Sequence, residues 1–302
     1  MANAIIEDIK AKIRSGNPIT RLIIINAAVF LFASILTILF AASGKSPAMG
    51  NIQYFVKENI SLSLSLNGLI HRPWTLITYM FTHFEVMHIF WNMITLYWFG
   101  QILSGYTSEK KIIPLYLLGG LAGGLVTILL IQFIPGLQAF IGAPMVGASA
   151  GVTAIIIAAA TLVPNYRMNL MFIGPVKLLY VAMFVLFIDI LNVASYDNVG
   201  GNIAHLGGAL MGYLFIVQYK KGNDWSAWIN RFFDRISGLF KPSAKSKMKV
   251  AYKRTVSDEE YNYNKKITQQ QIDTILDKIS KSGYESLSKA EKEILFKASN
   301  KS

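Results

Sequence analysis

The sequence predicts an all-α membrane protein with six membrane-spanning helices and a helical tail on the cytoplasmic side. Three observations lead there. Of the 302 residues 53% are hydrophobic and 15% charged, where a soluble domain carries about 25% charged residues. The basic residues are segregated: seven of the 29 Lys and Arg lie between Leu22 and Tyr219, and eighteen lie from Lys220 to Ser302. Six apolar runs, at 21–43, 79–102, 112–134, 147–163, 177–194 and 203–219, come close to the roughly 20 residues that a helix needs to cross a bilayer.

Residues 1–20 form an N-terminal segment carrying Lys10, Lys12 and Arg14. The run that follows is too long for the apolar core of a cleaved signal. Residues 21–219 form the six-helix membrane domain. Its basic flanks (Arg21, Lys110 and Lys111, Arg167 and Lys177, Lys220) alternate with flanks poor in Lys and Arg, which puts both termini in the cytoplasm. The 43–78 loop contains the alternation Ile60-Ser-Leu-Ser-Leu-Ser-Leu66 and then Arg72-Pro73-Trp74. It is expected to lie in the membrane interface rather than form a strand, because a lone strand has no pairing partner in lipid. The fourth and sixth runs are short and are expected to begin or end below a membrane surface.

After the last span the chemistry changes. Residues 220–241 repeat Trp, Ile and Phe at helical spacing, with Arg231, Arg235 and Lys241 among them. This is an amphipathic basic helix suited to the inner leaflet. Residues 242–268 read as a linker, and 269–302 as a small helical tail broken at Ser282-Gly283. Membrane lipids are therefore expected partners and nucleic acid is not. A cytoplasmic partner for the tail stays open. Without cysteine there is no disulfide or thiolate site. His71, His83, His88 and His205 lack metal-ligand spacing, so no metal or other cofactor is expected.

Polar side chains inside apolar spans are costly and are candidates for function. They gather in three places: His83, His88 and Asn92 at the second span, Ser149 at the fourth, and Asn202 and His205 at the sixth. Even-numbered spans of an unbroken chain all enter from one side. All three groups should therefore lie near one face of the bilayer, the extracytoplasmic one by the charge rule. Ser149 stands in Gly147-Ala-Ser-Ala-Gly151, a Gly-x-Ser-x-Gly pattern that often marks a hydrolase nucleophile but also suits close helix packing. His205 precedes Gly208 and Gly212, which match the small residues Gly147, Ala148, Ala150, Gly151 and Ala154 around Ser149. Packing through these glycines is expected to bring the His205 base within hydrogen-bonding reach of the Ser149 hydroxyl. His88 and Asn92 share one helical face. With the Ser149 amide they could stabilise an oxyanion.

With His83-Phe-Glu-Val-Met-His88-Ile-Phe-Trp-Asn92, Gly147-Ala-Ser149-Ala-Gly151 and Ala204-His205-Leu-Gly-Gly208 through Gly212 in this order, residues 20–219 resemble the rhomboid intramembrane serine proteases. The resemblance implies a six-helix bundle and a Ser149–His205 dyad without a catalytic carboxylate. It also implies oxyanion binding by His88, Asn92 and the Ser149 amide. A membrane-inserted first loop would carry Trp74, and the fifth helix with residues 195–202 would form a lateral gate. The implied substrates are single-span membrane proteins, cut near their outer end after a small residue. Two positions depart from the family pattern. Thr153 stands where an aromatic residue often stacks on the histidine, and Trp74 is followed by Thr75 rather than Arg. The tail resembles segments appended to some bacterial rhomboids, and the expected location is a bacterial inner membrane. A non-catalytic rhomboid-like scaffold that binds transmembrane clients is the alternative. A soluble α/β hydrolase is a third reading, and it predicts a strand before Gly147.

Overall fold

The computed structural model describes residues 16–42, 55–170, 173–240 and 258–299. It divides into two units, Met1–Phe240 and Lys241–Ser302. In the first unit, helix α1 spans Pro18–Ala42. Asn17 caps it, its Oδ1 accepting from the Ile19 and Thr20 amides at 2.9 and 3.2 Å. Pro18 takes the first helical position, where a missing N–H costs nothing. Strand β1 (Leu62–Ser63) and the short helices α2 (Leu66–His71) and α3 (Thr75–Thr78) follow. The longer elements are then α4 (Val86–Tyr106), α5 (Ile112–Phe133), α6 (Ser149–Leu162), α7 (Leu178–Ala194) and α8 (Val199–Lys220).

Small residues set how these helices pack. A Cβ on Gly208 would lie 2.1 Å from the Ala150 carbonyl oxygen, and one on Gly212 would lie 2.2 Å from that of Ala154. A four-residue step on α8 thus matches a four-residue step on α6, so the two helices run parallel with backbones in contact. Helix α5 runs antiparallel to α6, with Gly119 against Ala154 and Gly123 against Ala150. Helix α1 meets α4 where Ile19 covers Gly100. Helix α6 is the centre of the bundle: Ala150 through Ala160 are all buried. Its fourteen residues reach only about 21 Å.

Two expectations about span length are corrected. The sixth run is not short, because α8 begins at Val199 and holds 22 residues. The second begins at Val86 rather than 79, because Tyr79–Phe81 form a separate 3-10 turn. Among the described residues, three segments are both long and apolar enough to cross a bilayer alone: Pro18–Leu39, Glu109–Phe133 and Val199–Lys220. Helices α6 and α7 are apolar but shorter. Helix α4 has 21 residues but is diluted by His88, Asn92, Gln101 and Ser104.

The first loop also departs from expectation. Strand β1 pairs antiparallel with β2 (Pro144–Met145), Leu62 opposite Met145. The partner that a lone strand would lack comes from the loop before α6. This two-residue ladder is also the strand before Gly147, and it is no part of an α/β sheet. Further bonds tie the loop down: Arg72 to Glu58 at 3.1 Å, the Trp74 indole N–H to the Asn59 carbonyl at 2.7 Å, and Leu64 N–H to the Ala143 carbonyl at 2.9 Å. A second hairpin, β3 (Arg167–Leu170) with β4 (Gly174–Lys177), joins α6 to α7.

The opposite end of the bundle is basic and cross-braced. Lys111, buried in the α4–α5 turn, bonds Asp224 just beyond α8 at 2.8 Å. Burial disfavours the Asp224 charge, but bonds from Lys111 and Ser226 outweigh it and hold this carboxyl below the ordinary range. Lys220 donates to the Thr161 carbonyl at 2.8 Å, a cation on the last turn of α6. Helix α9 (Ala227–Phe240) follows, with Trp228, Phe232, Phe233 and Ile236 exposed and Ile229 buried.

In the second unit, α10 (Asp258–Ser282) and α11 (Lys289–Ser299) flank a break at Gly283. Helix α10 begins inside the stretch read as linker, and the rest of that stretch lies outside the described residues. Ser288 and Glu291 form a capping box at the start of α11, each side chain accepting from the other's amide. With the Lys278 ammonium at 2.9 Å, the Ser288 amide bond lowers the Glu291 carboxyl to about 2.

Candidate active site

The turn that presents Ser149 is held from below. Two buried tyrosines on or against α5 pin the segment before α4: Tyr116 donates to the Met80 carbonyl and Tyr79 to that of Gly120, each at 2.6 Å. That segment holds the turn in its place. The Gly147 amide bonds the Tyr79 carbonyl at 2.9 Å, and the Ala148 amide bonds His83 Nε2 at 3.3 Å. An amide only donates, so Nε2 accepts and the His83 ring is held neutral in this contact. The sequence marked His83 as polar without a role. The structure gives it this backbone anchor and an edge-on contact with the His88 ring, centroids 5.0 Å apart.

Gly147 has φ +128, a region that favours glycine, and a Cβ there would sit 2.8 Å from the His88 ring. Its place is therefore the turn beneath His88, not the helix-packing seam predicted for it. Gly151 does pack, but against the Tyr116 backbone of α5 at 2.6 Å from a notional Cβ. Ala150 and Ala154 are the residues of α6 that meet α8.

Ser149 is the first residue of α6, and the first intrahelical bond runs from Val152 N–H to the Ala148 carbonyl. The amides of residues 149–151 precede that ladder and carry the positive end of the helix dipole. Ser149 is half-buried. His205, also half-buried, lies one turn before Gly208 on α8. Both residues thus lie within a turn of the Gly208–Ala150 contact. The expected Ser149–His205 hydrogen bond is absent among the described residues. Such bonds are commonly long without substrate.

The His88 ring lies beside Gly147, two residues before Ser149. Asn92 is buried and gives one amide hydrogen to the His88 carbonyl at 2.9 Å, and the other has no partner among the described residues. Asn202 is structural: its amide bonds the Asp197 and Asn198 carbonyls at 2.8 and 3.0 Å and closes the left-handed turn at Asn198 before α8. A cavity of about 480 Å³ opens beside His88, lined by Phe84 and Glu85, by Met145 of β2, and by Asn198 and Gly201 at the start of α8.

One residue that the sequence reading passed over belongs here. Asp189 on α7 is buried, and its Oδ1 lies 2.8 Å from His205 Nδ1. A carboxylate alone in an apolar span demands a partner. It stands late in an odd-numbered span, hence on the same side as the early residues of even-numbered ones, and that was the available signal.

A buried short helix headed by serine, and a parallel neighbour that carries histidine and meets it through glycines, make a helical membrane bundle with a serine and a histidine gathered toward one end. The comparisons place it: the rhomboid domain family matches residues 71–221, half of the chain, and the chain belongs to the rhomboid family. It is an integral membrane protein. It is similar to RHOMBOID-like protein 12, mitochondrial, of Arabidopsis thaliana, at 32% identity over 182 residues. That match takes in 56% of this chain, which spans about half (53%) of the relative's length. Residues 255–301 match a family of unknown function (DUF6576).

Proposed function

We propose that the chain is an intramembrane serine endopeptidase with Ser149 as nucleophile and His205 as general base and then acid. The observation that carries this reading is the parallel contact of α6 and α8, which sets Ser149 and His205 within one turn of a shared backbone-to-backbone seam. The serine proton passes to the imidazole as Oγ attacks the scissile carbonyl. The oxyanion is taken by the Ser149 amide, the His88 ring and the second Asn92 hydrogen. The proton then goes to the leaving amine as the C–N bond breaks. The site belongs in a wet pit below the extracytoplasmic face of a six-span bundle, with both termini cytoplasmic, in a bacterial inner membrane. Basic flanks at the braced end support that orientation, and the shortness of α6 supports the depth.

The substrates are single-span membrane proteins whose helix unwinds near its outer end. Gly, Pro or β-branched residues there lower the cost of unwinding. The cavity beside His88 accommodates the unwound segment. The test is cleavage of a model single-span substrate by purified protein: wild type cuts it, while Ser149→Ala and His205→Ala do not. Undiminished cleavage by Ser149→Ala ends this reading. The missing Ser149–His205 hydrogen bond favours a second reading, a non-catalytic scaffold for transmembrane clients, in which wild type binds the substrate and leaves it whole.

A further inference from the structure

Asp189 is the sole carboxylate within α1 and α4–α8. It is 4% exposed. Its Oδ1 meets His205 Nδ1 at 2.8 Å, and its Oδ2 is buried with no hydrogen-bond partner among the described residues. A carboxylate kept for stability would be expected to have both oxygens satisfied, and a buried ion pair is weak grounds for stability in any case. What the arrangement does supply is a fixed imidazole. A carboxylate accepts and does not donate, so Nδ1 carries the proton and Nε2 is the nitrogen with the free lone pair.

We infer that Asp189 is a positioning residue that turns the serine–histidine pair into a Ser149–His205–Asp189 relay of orientation. This rests on the Ser149–His205 reading above. Asp189 holds the ring with Nε2 as the base. When Nε2 takes the Ser149 proton, the carboxylate faces the resulting imidazolium and stabilises it without itself taking a proton. The proton leaves on the departing amine, and Asp189 takes none. Because Asp189 stands on α7 and His205 on α8, this single contact also ties the end of α7 to the site.

The test uses full-length protein in detergent micelles and three variants, Asp189→Asn, Asp189→Glu and Asp189→Ala. The proposal expects kcat on the model substrate to fall about 10²- to 10⁴-fold in Asp189→Asn, with KM little changed and with partial recovery in Asp189→Glu. It also expects the nitrogen NMR signals of histidine-labelled protein, which holds only four histidines, to show His205 protonated at Nδ1 in wild type. That preference should be lost in Asp189→Asn and Asp189→Ala. Full kcat in a folded Asp189→Asn overturns the proposal. An unchanged His205 tautomer in that variant overturns it as well, whether or not the protein turns over substrate. A wild type that cuts nothing yet shows the tautomer change keeps the positioning contact and defeats only the protease reading.

Discussion

Helices α6 and α7 are neighbours in sequence and opposites in packing. On α6 eleven of fourteen residues are buried. On α7 three of seventeen are: Leu178, Ala182 and Asp189. Large apolar side chains such as Phe184 and Phe187 project outward from α7, as suits a helix facing lipid. The proposed nucleophile, Ser149, therefore sits on the most tightly held helix of the bundle. The carboxylate behind the histidine sits on one of the least held. The first is fixed by backbone contact through glycine, the second by the buried Leu178 and Ala182 near its start and the Asp189–His205 contact further along.

This contrast can be broken or sharpened by mutation. The largest effect is expected from Gly208→Leu, because even a Cβ there would lie 2.1 Å from the Ala150 carbonyl. The helices must separate, and both folding and any serine labelling should collapse, read by thermal unfolding in detergent and by labelling. Next, Ile155→Ala on α6, fully buried, should cost about 2–5 kcal/mol. Phe184→Ala on α7, 64% exposed, should cost within about 0.5 kcal/mol of nothing. Equal costs would erase the contrast. Asn202→Ala removes two bonds to the turn before α8 and should lower stability by about 1–3 kcal/mol, with the loss visible in the same unfolding experiment.

The smallest effect belongs to the tail. The Glu291 carboxyl is depressed to about 2 from an ordinary 4.5, so the folded state binds fewer protons there than the unfolded chain. Its contribution is fully present above pH 4.5 and disappears as pH falls toward 2. A carboxyl-detected titration should find it near 2, and Lys278→Ala should move it upward.

Much of the bundle was legible because its signals are local. Apolar length marked the long helices of the bundle, and the glycines of α8 announced a close neighbour. The parity of even spans brought His88, Ser149 and His205 to one side. What escaped was non-local or disguised. The pairing of Leu62 with Met145 joins segments over 80 residues apart, and no local pattern encodes it. Gly200 and Gly201 fell outside the sixth apolar run, yet Asn202 bonds the turn before α8 and Gly200 is buried against Leu64, and α8 is helical from Val199. Gly147 and Gly151 looked alike in sequence. One makes a positive-φ turn under His88, and the other packs on α5, because four residues there span a turn-to-helix boundary. Asp189 was readable and was missed: the implied dyad left no place for a carboxylate, so a lone acid in an apolar span went unasked about.

The central claim is that the α6–α8 seam makes Ser149 reactive through His205, and a fluorophosphonate probe tests it without any natural substrate. Mass spectrometry of probe-treated wild type should place the adduct on Ser149, with none formed in His205→Ala. An unlabelled Ser149 in folded wild type, or equal labelling once His205 is removed, would contradict the account.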